Sequence, residues 1–282
     1  MKKREATFNL KRFLMANIVP IIFILLSAFA IPISQFSASY LVQEMLIRLA
    51  RDSFLVLSLL VPIIAGMGLN FGMVLGAMAG QIGLILVSDW KVMGLPGMTL
   101  AAIIATPLAV ALGWMCGAIL NRAKGREMVT SYILGFFVNG LYQLVVLYFF
   151  GSLIPIHSPE LVLSRGYGIR NAVNLVGIRN CLDYLIPVTI HGIRVPLGTF
   201  IVIAAFSAFI VWFRKTKLGQ DMRAVGQDME VSRSAGIPVE RTRLISIVIS
   251  TVLAAYGQII FLQNIGTLNT YNSHEQAGMF AI

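Results

Sequence analysis

Charge is scarce in this sequence: Asp, Glu, Lys and Arg together make up 12% of 282 residues, against about a quarter in soluble domains. That scarcity excludes an ordinary water-soluble globule. Carboxylates are the rarest charges, 12 against 22 basic residues. They lie in or beside polar connections, never inside the long apolar runs. No carboxylate pair is therefore available for acid–base chemistry, and no titratable group of the kind used by an ion-coupled transporter stands at membrane depth. Only two cysteines occur, Cys116 and Cys181, too few for a disulfide framework or a thiolate metal site, and both read as packing residues. The three histidines, His157, His191 and His274, are scattered and read as solvated loop residues. Walker, His-Glu-x-x-His and nucleophile-elbow signatures are all missing, so neither an enzyme nor a cofactor of its own is expected.

What the chain has instead is apolar length. Hydrophobic residues form 57% of it, and the mean hydropathy is +0.83. Runs at Phe13–Ile33, Phe54–Leu69, Phe71–Val87, Met98–Leu120, Thr130–Phe150, Val195–Phe213 and Leu244–Leu262 approach or exceed the ~20 residues that cross a bilayer core. The fold class is all-α: a polytopic helical membrane protein of about seven spans in a single transmembrane domain, 1–282. The first run is longer than a signal h-region and reads as a retained span. At the other end an apolar stretch has just begun where the chain stops, so further spans are expected beyond it. The pair of runs around Asn70 is separated only by Gly-Met-Gly-Leu-Asn, which implies either a helix broken inside the membrane or a tight hairpin.

With the N-terminus in the cytoplasm and alternating spans, fifteen of the 22 basic residues fall inside, in line with the positive-inside bias. The formal charge of +10 is thus mainly a topology signal, and nucleic acid is excluded as a partner. Ser34–Ser53, with Leu41, Met45 and Leu49 at four-residue spacing, reads as an interfacial helix on the outer surface. The segment 151–194 is the longest extracytoplasmic loop. Its basic stretch Ser-Arg-Gly-Tyr-Gly-Ile-Arg-Asn is either a docking surface for a soluble partner or a solvated cap.

Within the spans, Gly72, Gly76 and Gly80 recur every four residues and make a smooth face for close helix packing. Ser246, Ser250, Ala254 and Gln258 share another face, and Asn139 and Gln143 form an i, i+4 amide pair. Buried amides must be bonded or wetted, so Asn70, Gln81, Asn139, Gln143 and Gln258 either bond between helices or line a path for a polar, uncharged solute.

The connection between the last two spans, Arg223–Ile237 and its flanks, is long and helix-like. Met222, Val225 and Met229 make one apolar stripe, Asp221 stands where an N-cap or first-turn acid would help, and Gly236 with Pro238 is a helix stop. A helix of about four turns is expected, with Arg223, Asp228, Glu230 and Arg233 on its other faces and small residues Ala224, Gly226 and Ala235 between them. It would lie on the bundle's own face or insert into a groove of another protein.

Thr216, Gly219, Arg223, Ala224, Gly226, Ala235, Gly236 and Ile237, followed by the span after Arg243, resemble the cytoplasmic loop and following span of ABC-importer permeases of the ribose/branched-chain amino acid type. Asp228 stands where Asn is commoner, and Ser232, Arg233 and Ser234 replace some of the usual alanines. The glycine-rich stretch around Asn70 and the run Val129–Leu141 resemble the same family more weakly. The resemblance implies that 215–242 is a coupling loop in which Asp221, Met222, Arg223, Ala224, Val225, Gly226, Asp228, Met229, Glu230, Arg233, Ala235 and Gly236 meet a cytoplasmic ATPase. That ATPase, not this chain, would bind ATP. The other partners implied are a second permease subunit, an extracytoplasmic solute-binding protein and the lipid of a bacterial plasma membrane. A sugar or nucleoside is the favoured solute. Branched-chain amino acids, a self-contained secondary transporter or channel, and a membrane scaffold are the competing readings.

Overall fold

A computed structural model describes Leu14, Met15 and residues 17–190 and 192–281. His191, the start of the first apolar run and the basic N-terminal residues lie outside the described residues. Each apolar run falls on a helix, because a backbone in hydrocarbon must satisfy its own N–H and C=O groups. In chain order these are α1 (Ile18–Ser34), α2 (Ala38–Ile64), α3 (Met73–Asp89), α4 (Gly94–Arg122) and α5 (Glu127–Leu144), which runs on into a π-helical turn, Val145–Phe149. Strands β1 (Ala172–Asn174), β2 (Pro187–Ile190) and β3 (Ile193–Pro196) follow. Then come α6 (Leu197–Phe213), α7 (Lys217–Gln227), α8 (Met229–Ser234), α9 (Val239–Ile265), β4 (Thr267–Asn269) and α10 (Glu275–Phe280).

The seven runs are not seven equal spans. Among the described residues, α4, α9 and α5 with its π turn are long and apolar enough to cross a membrane. Helices α6 and α7 would make a fourth together, but they are bent by 76° at their junction. Helices α1 and α3 are apolar but have 17 residues each, about 26 Å of rise against a ~30 Å hydrocarbon core.

Helix α9 is the hub. Helices α2, α3 and α4 all pack on it, and its residues Ser246, Ser250, Ala254 and Gln258 are all buried. The glycine face of α3 fulfils its expected role, since Gly76 and Gly80 lie against the backbone of Thr251 and Ala255 on α9. Gly72 turns instead toward Cys116 of α4.

Two sequence expectations change here. The stretch 34–53 is not a separate interfacial helix: from Ala38 it is the first half of α2, which continues unbroken to Ile64. The Ser37 side chain starts it by accepting from Tyr40 N. Its polar side chains are absorbed locally, with Arg48 on Glu44, Arg51 on Asp52, and the Arg51 guanidinium over the Phe261 ring at 5.0 Å. The break at 65–72 is a hairpin. One end of the bundle brings this turn against Gly226 and Ser131. At the other end, α3 finishes at Asp89 against the 151–194 segment. Gly66, with φ +72°, makes the reversal without the strain a Cβ would add.

The 151–194 segment is a packed cap and not a loose loop. Val173, Leu175 and Ile178 enter the main core, and β1 pairs antiparallel with β4, Val173 opposite Leu268. The buried Asp89 carboxylate accepts from His157 N at 2.8 Å and Ser158 N at 2.7 Å. Strands β2 and β3 form a separate hairpin.

Candidate functional site

Three of the five amides expected to line a path meet in one cluster. Gln81 projects from α3, and Asn139 and Gln143 from α5, one turn apart. Gln143 Nε2 donates to Asn139 Oδ1 at 3.3 Å. Between the helices sits His274, whose ring nitrogens lie 3.1 Å from Gln81 Oε1 and 2.9 Å from Asn139 Oδ1. Tyr142 packs its ring edge-on to the imidazole at 4.8 Å and donates its hydroxyl to Gln81 Oε1 at 2.7 Å. Asn139 Nδ2 donates to Glu275 Oε1 at 2.6 Å. Gln258, on α9, stays outside the cluster and donates its Nε2 to the carbonyl of Ser273, next to His274, at 3.1 Å. Asn70 stays apart in the hairpin turn, where its Oδ1 accepts from Gly72 N.

His274 is thus not the solvated loop residue expected from the sequence. It is fully buried, because the chain after β4 turns back into the bundle before α10. Two side-chain atoms around the cluster, Gln81 Nε2 and Gln258 Oε1, have no partner among the described residues, and neither has Asn70 Nδ2 in the turn.

Beside the cluster lies a groove of about 340 Å³, lined by Phe71, Val74, Tyr132, Phe136, Asn139 and Glu275 among others. At the end of the bundle under the 151–194 cap, a second cavity of about 310 Å³ is edged by Arg51, Arg179, Asp183, Arg194 and Asn264. The Asp183 carboxylate is buried and held by Thr199 and Asn264. Burial, helped by the negative charge of Asp183, pushes the nearby Cys181 thiol above its usual range.

The long connection at the opposite end is two helices and not one. Thr216 caps α7, its hydroxyl oxygen accepting from Gly219 N. Asp221 is therefore neither the cap nor a first-turn residue. At Asp228 the backbone is extended, and its carboxylate accepts from Glu230 N and Val231 N to start α8. Gly236, with φ +81°, ends α8 ahead of Pro238, as the sequence indicated.

Met222 is buried in a cluster with Val61, Ala65 and Ile64 of α2 and its turn, and Val225 is buried as well, so the apolar stripe faces the chain's own body. Gly226 rests on the backbone of Ile64 and Gly66 with no room for a Cβ. The open surface is made by Arg223, Gln227, Asp228, Glu230, Val231 and Arg233, with Ala235 and Gly236 beyond them. Val231 is an apolar side chain 65% exposed among these polar ones. Ala224 and Met229 are half-buried.

Arg243 is a functional candidate that the sequence placed among the solvated basic residues. It is buried in the first turns of α9, joined to Glu127 of α5 and, through Nη1, to Met229 Sδ at 2.9 Å. The arginine thus locks α8 to two long helices. Its partners are 14 and 116 residues away, and no local pattern announces them. The His274 cluster had one weak signal, the polar run Asn269–Gln276 set between apolar stretches.

Comparison with known proteins places the chain among transport permeases. Residues 41–282 match the family described as branched-chain amino acid transport system/permease component. The chain is 25% identical over 210 residues to an autoinducer 2 import system permease protein, LsrD, of Photorhabdus luminescens, covering 74% of this chain and 55% of that one. It is also 25% identical over 205 residues to a nucleoside ABC transporter permease protein, NupB, of Lactococcus lactis subsp. cremoris, covering 68% and 51% respectively. A probable ABC transporter permease protein, YphD, of Escherichia coli K12 is 33% identical over 75 residues. The chain spans about half the length of the first two relatives. No solved structure matches it.

Proposed function

Because the chain belongs to the branched-chain amino acid transport system/permease component family, we propose that it is the membrane-spanning permease subunit of an ATP-driven importer. It is an inner-membrane, multi-pass protein with its N-terminus in the cytoplasm, and it moves a small polar solute by alternating access. A separate cytoplasmic ATPase supplies the energy. A second permease subunit and an extracytoplasmic solute-binding protein complete the assembly. The relatives named for autoinducer 2 and nucleoside import favour a sugar-like or nucleoside solute. The family description favours the second reading, a branched-chain amino acid.

The observation that carries this reading is the α7–α8 surface. Met222 and Val225 anchor it to the bundle, while Arg223, Glu230, Val231 and Arg233 face outward. A partner that pushes on this face displaces α7, and Gly226 passes the push directly to the α2–α3 turn. The amide cluster would then line the solute's path.

The test is co-purification with a candidate cytoplasmic ABC ATPase from the same source, and ATP-driven uptake in proteoliposomes. Val231→Arg is expected to weaken association and uptake together, because a buried charge replaces a small apolar contact. Full association and uptake in that variant would refute the assignment of this face.

A further inference from the structure

We propose that the cavity at the 151–194 end of the bundle is a headgroup site for a zwitterionic phospholipid, one carrying a phosphate and a primary ammonium together, as phosphatidylethanolamine does. The proposal needs only that the chain lies in a membrane, so it stands or falls apart from the importer reading.

The cavity sits at headgroup depth. Asn264 and Ile265, the last residues of α9, are part of its lining. That helix has 27 residues, about 40 Å of rise against a ~30 Å hydrocarbon core, so its ends reach the headgroup layer. Tyr184, which also lines the cavity, is exposed together with its neighbours Leu185 and Ile186. A second hollow of about 170 Å³ shares Asp183, Tyr184 and Arg194 with the first and is bordered by the β2–β3 hairpin. Aromatic and apolar side chains left open beside a charged cavity suit the glycerol and acyl end of a lipid.

Inside the cavity, charges of both signs stand unpaired. Arg51 is matched by Asp52, and Glu44 by Arg48. Arg179 and Arg194 line the same cavity and have neither hydrogen bond nor ion pair among the described residues. The Asp183 carboxylate is only 6% exposed, and its bonds come from neutral groups, Thr199 Oγ1 and Asn264 Nδ2. No cation pairs with it among the described residues. A buried carboxylate without a counter-charge is costly. Two free guanidiniums and one uncompensated carboxylate therefore share a cavity without meeting.

A ligand that carries both charges answers each of them. Its phosphate oxygens match the guanidinium forks of Arg179 and Arg194, and its ammonium faces Asp183. A free phosphate, or an acidic side chain of another protein, would satisfy the arginines but bring a second negative charge up to Asp183. The volume of about 310 Å³ is within the range of small-molecule sites.

The test uses the full chain in detergent, with bound lipid counted by native mass spectrometry. The probes are phosphatidylethanolamine, phosphatidylglycerol and phosphatidylcholine with matched acyl chains, and soluble glycerophosphoethanolamine. Phosphatidylethanolamine is expected to bind about tenfold more tightly than the other two lipids. Arg179→Gln and Arg194→Gln, both at exposed positions, should each weaken it by about ten- to hundredfold, the effect of losing a hydrogen bond to a charged group. Asp183→Asn should erase the preference over phosphatidylglycerol while phosphatidylglycerol binding itself holds. Size-exclusion profiles report folding, and if Asp183→Asn does not fold, the lipid ranking and the two arginine variants decide.

Three results would overturn the proposal. Phosphatidylglycerol or phosphatidylcholine bound as tightly as phosphatidylethanolamine would mean no more than general adhesion of lipid. Glycerophosphoethanolamine bound as tightly as the lipid would assign the cavity to a soluble ligand. Unchanged affinity in both arginine variants would leave those side chains to an acidic partner protein.

Discussion

Replacing Gly76 with alanine should break the tightest helix–helix contact among the described residues. A Cβ built there lies 2.0 Å from the Thr251 carbonyl oxygen, 2.9 Å from its carbon and 3.0 Å from Ala254 Cβ. Ordinary contact begins near 3.4 Å, so α3 and α9 would have to separate by more than an ångström. The obstruction is backbone, which cannot swing aside as a side chain can. Separation would also loosen the contact at Gly80, whose Cβ position is 2.6 Å from Ala255 O. Overpacking of this kind costs about 3 kcal/mol, and alanine's helix propensity returns about 1 kcal/mol. The net loss should be about 2 kcal/mol. Gly140→Ala is the matched comparison: it stands inside α5 with nothing within 4 Å of a new Cβ, and should be neutral or stabilising. Thermal unfolding in detergent, followed by fluorescence-detected size exclusion, reads both. If Gly76→Ala proves as stable as Gly140→Ala, close α3–α9 packing does not hold the bundle together.

Arg243→Met should be destabilising by about 3 kcal/mol or more, because Glu127 is left without its buried partner. Adding Glu127→Leu should recover part of the loss, read as a double-mutant cycle in unfolding. Asp89→Ala removes the acceptor for two backbone N–H groups of the cap and should cost about 2 kcal/mol. Limited proteolysis within 151–194 should then speed up, while cleavage elsewhere stays slow. Cys181 should react with maleimide more slowly than a free cysteine at neutral pH, because its raised thiol pKa leaves less thiolate. Its labelling rate should keep climbing at pH values where a free thiol has already levelled off.

Much of the scaffold was legible in the sequence because lipid enforces it. Apolar runs had to be helices, the Gly76 and Gly80 spacing had to be a contact face, and Gly236 with Pro238 had to stop a helix. The amides on α3 and α5 were visible as groups that had to be bonded or wetted, though not as one cluster. What stayed hidden was set by long-range return of the chain. His274 looks like a loop histidine until the segment after β4 folds inward across 193 residues to meet Gln81. Arg243 looks like one more cytoplasmic positive charge until Glu127 is placed beside it. Within α7–α8 the misreading was local: Thr216 and Asp228 are both good N-caps, and an uninterrupted apolar stripe masked the second start. Residues 34–53 read as an element of their own because the Leu41, Met45 and Leu49 stripe gives no sign that the helix continues past Ser53 to Ile64.

The β1–β4 ladder also sets an order of assembly. Residue 170 accepts a hydrogen bond from Thr270, 100 positions later in the chain. At usual synthesis rates that separation is roughly five to twenty seconds of translation. Throughout that interval the cap has β1 but not its closing strand, and α9 must be threaded before that strand exists. The order of insertion is therefore written into the ladder: the last long helix delivers the strand that seals a segment made well before it, and a ribosome stalled before α9 would leave that segment open to proteases.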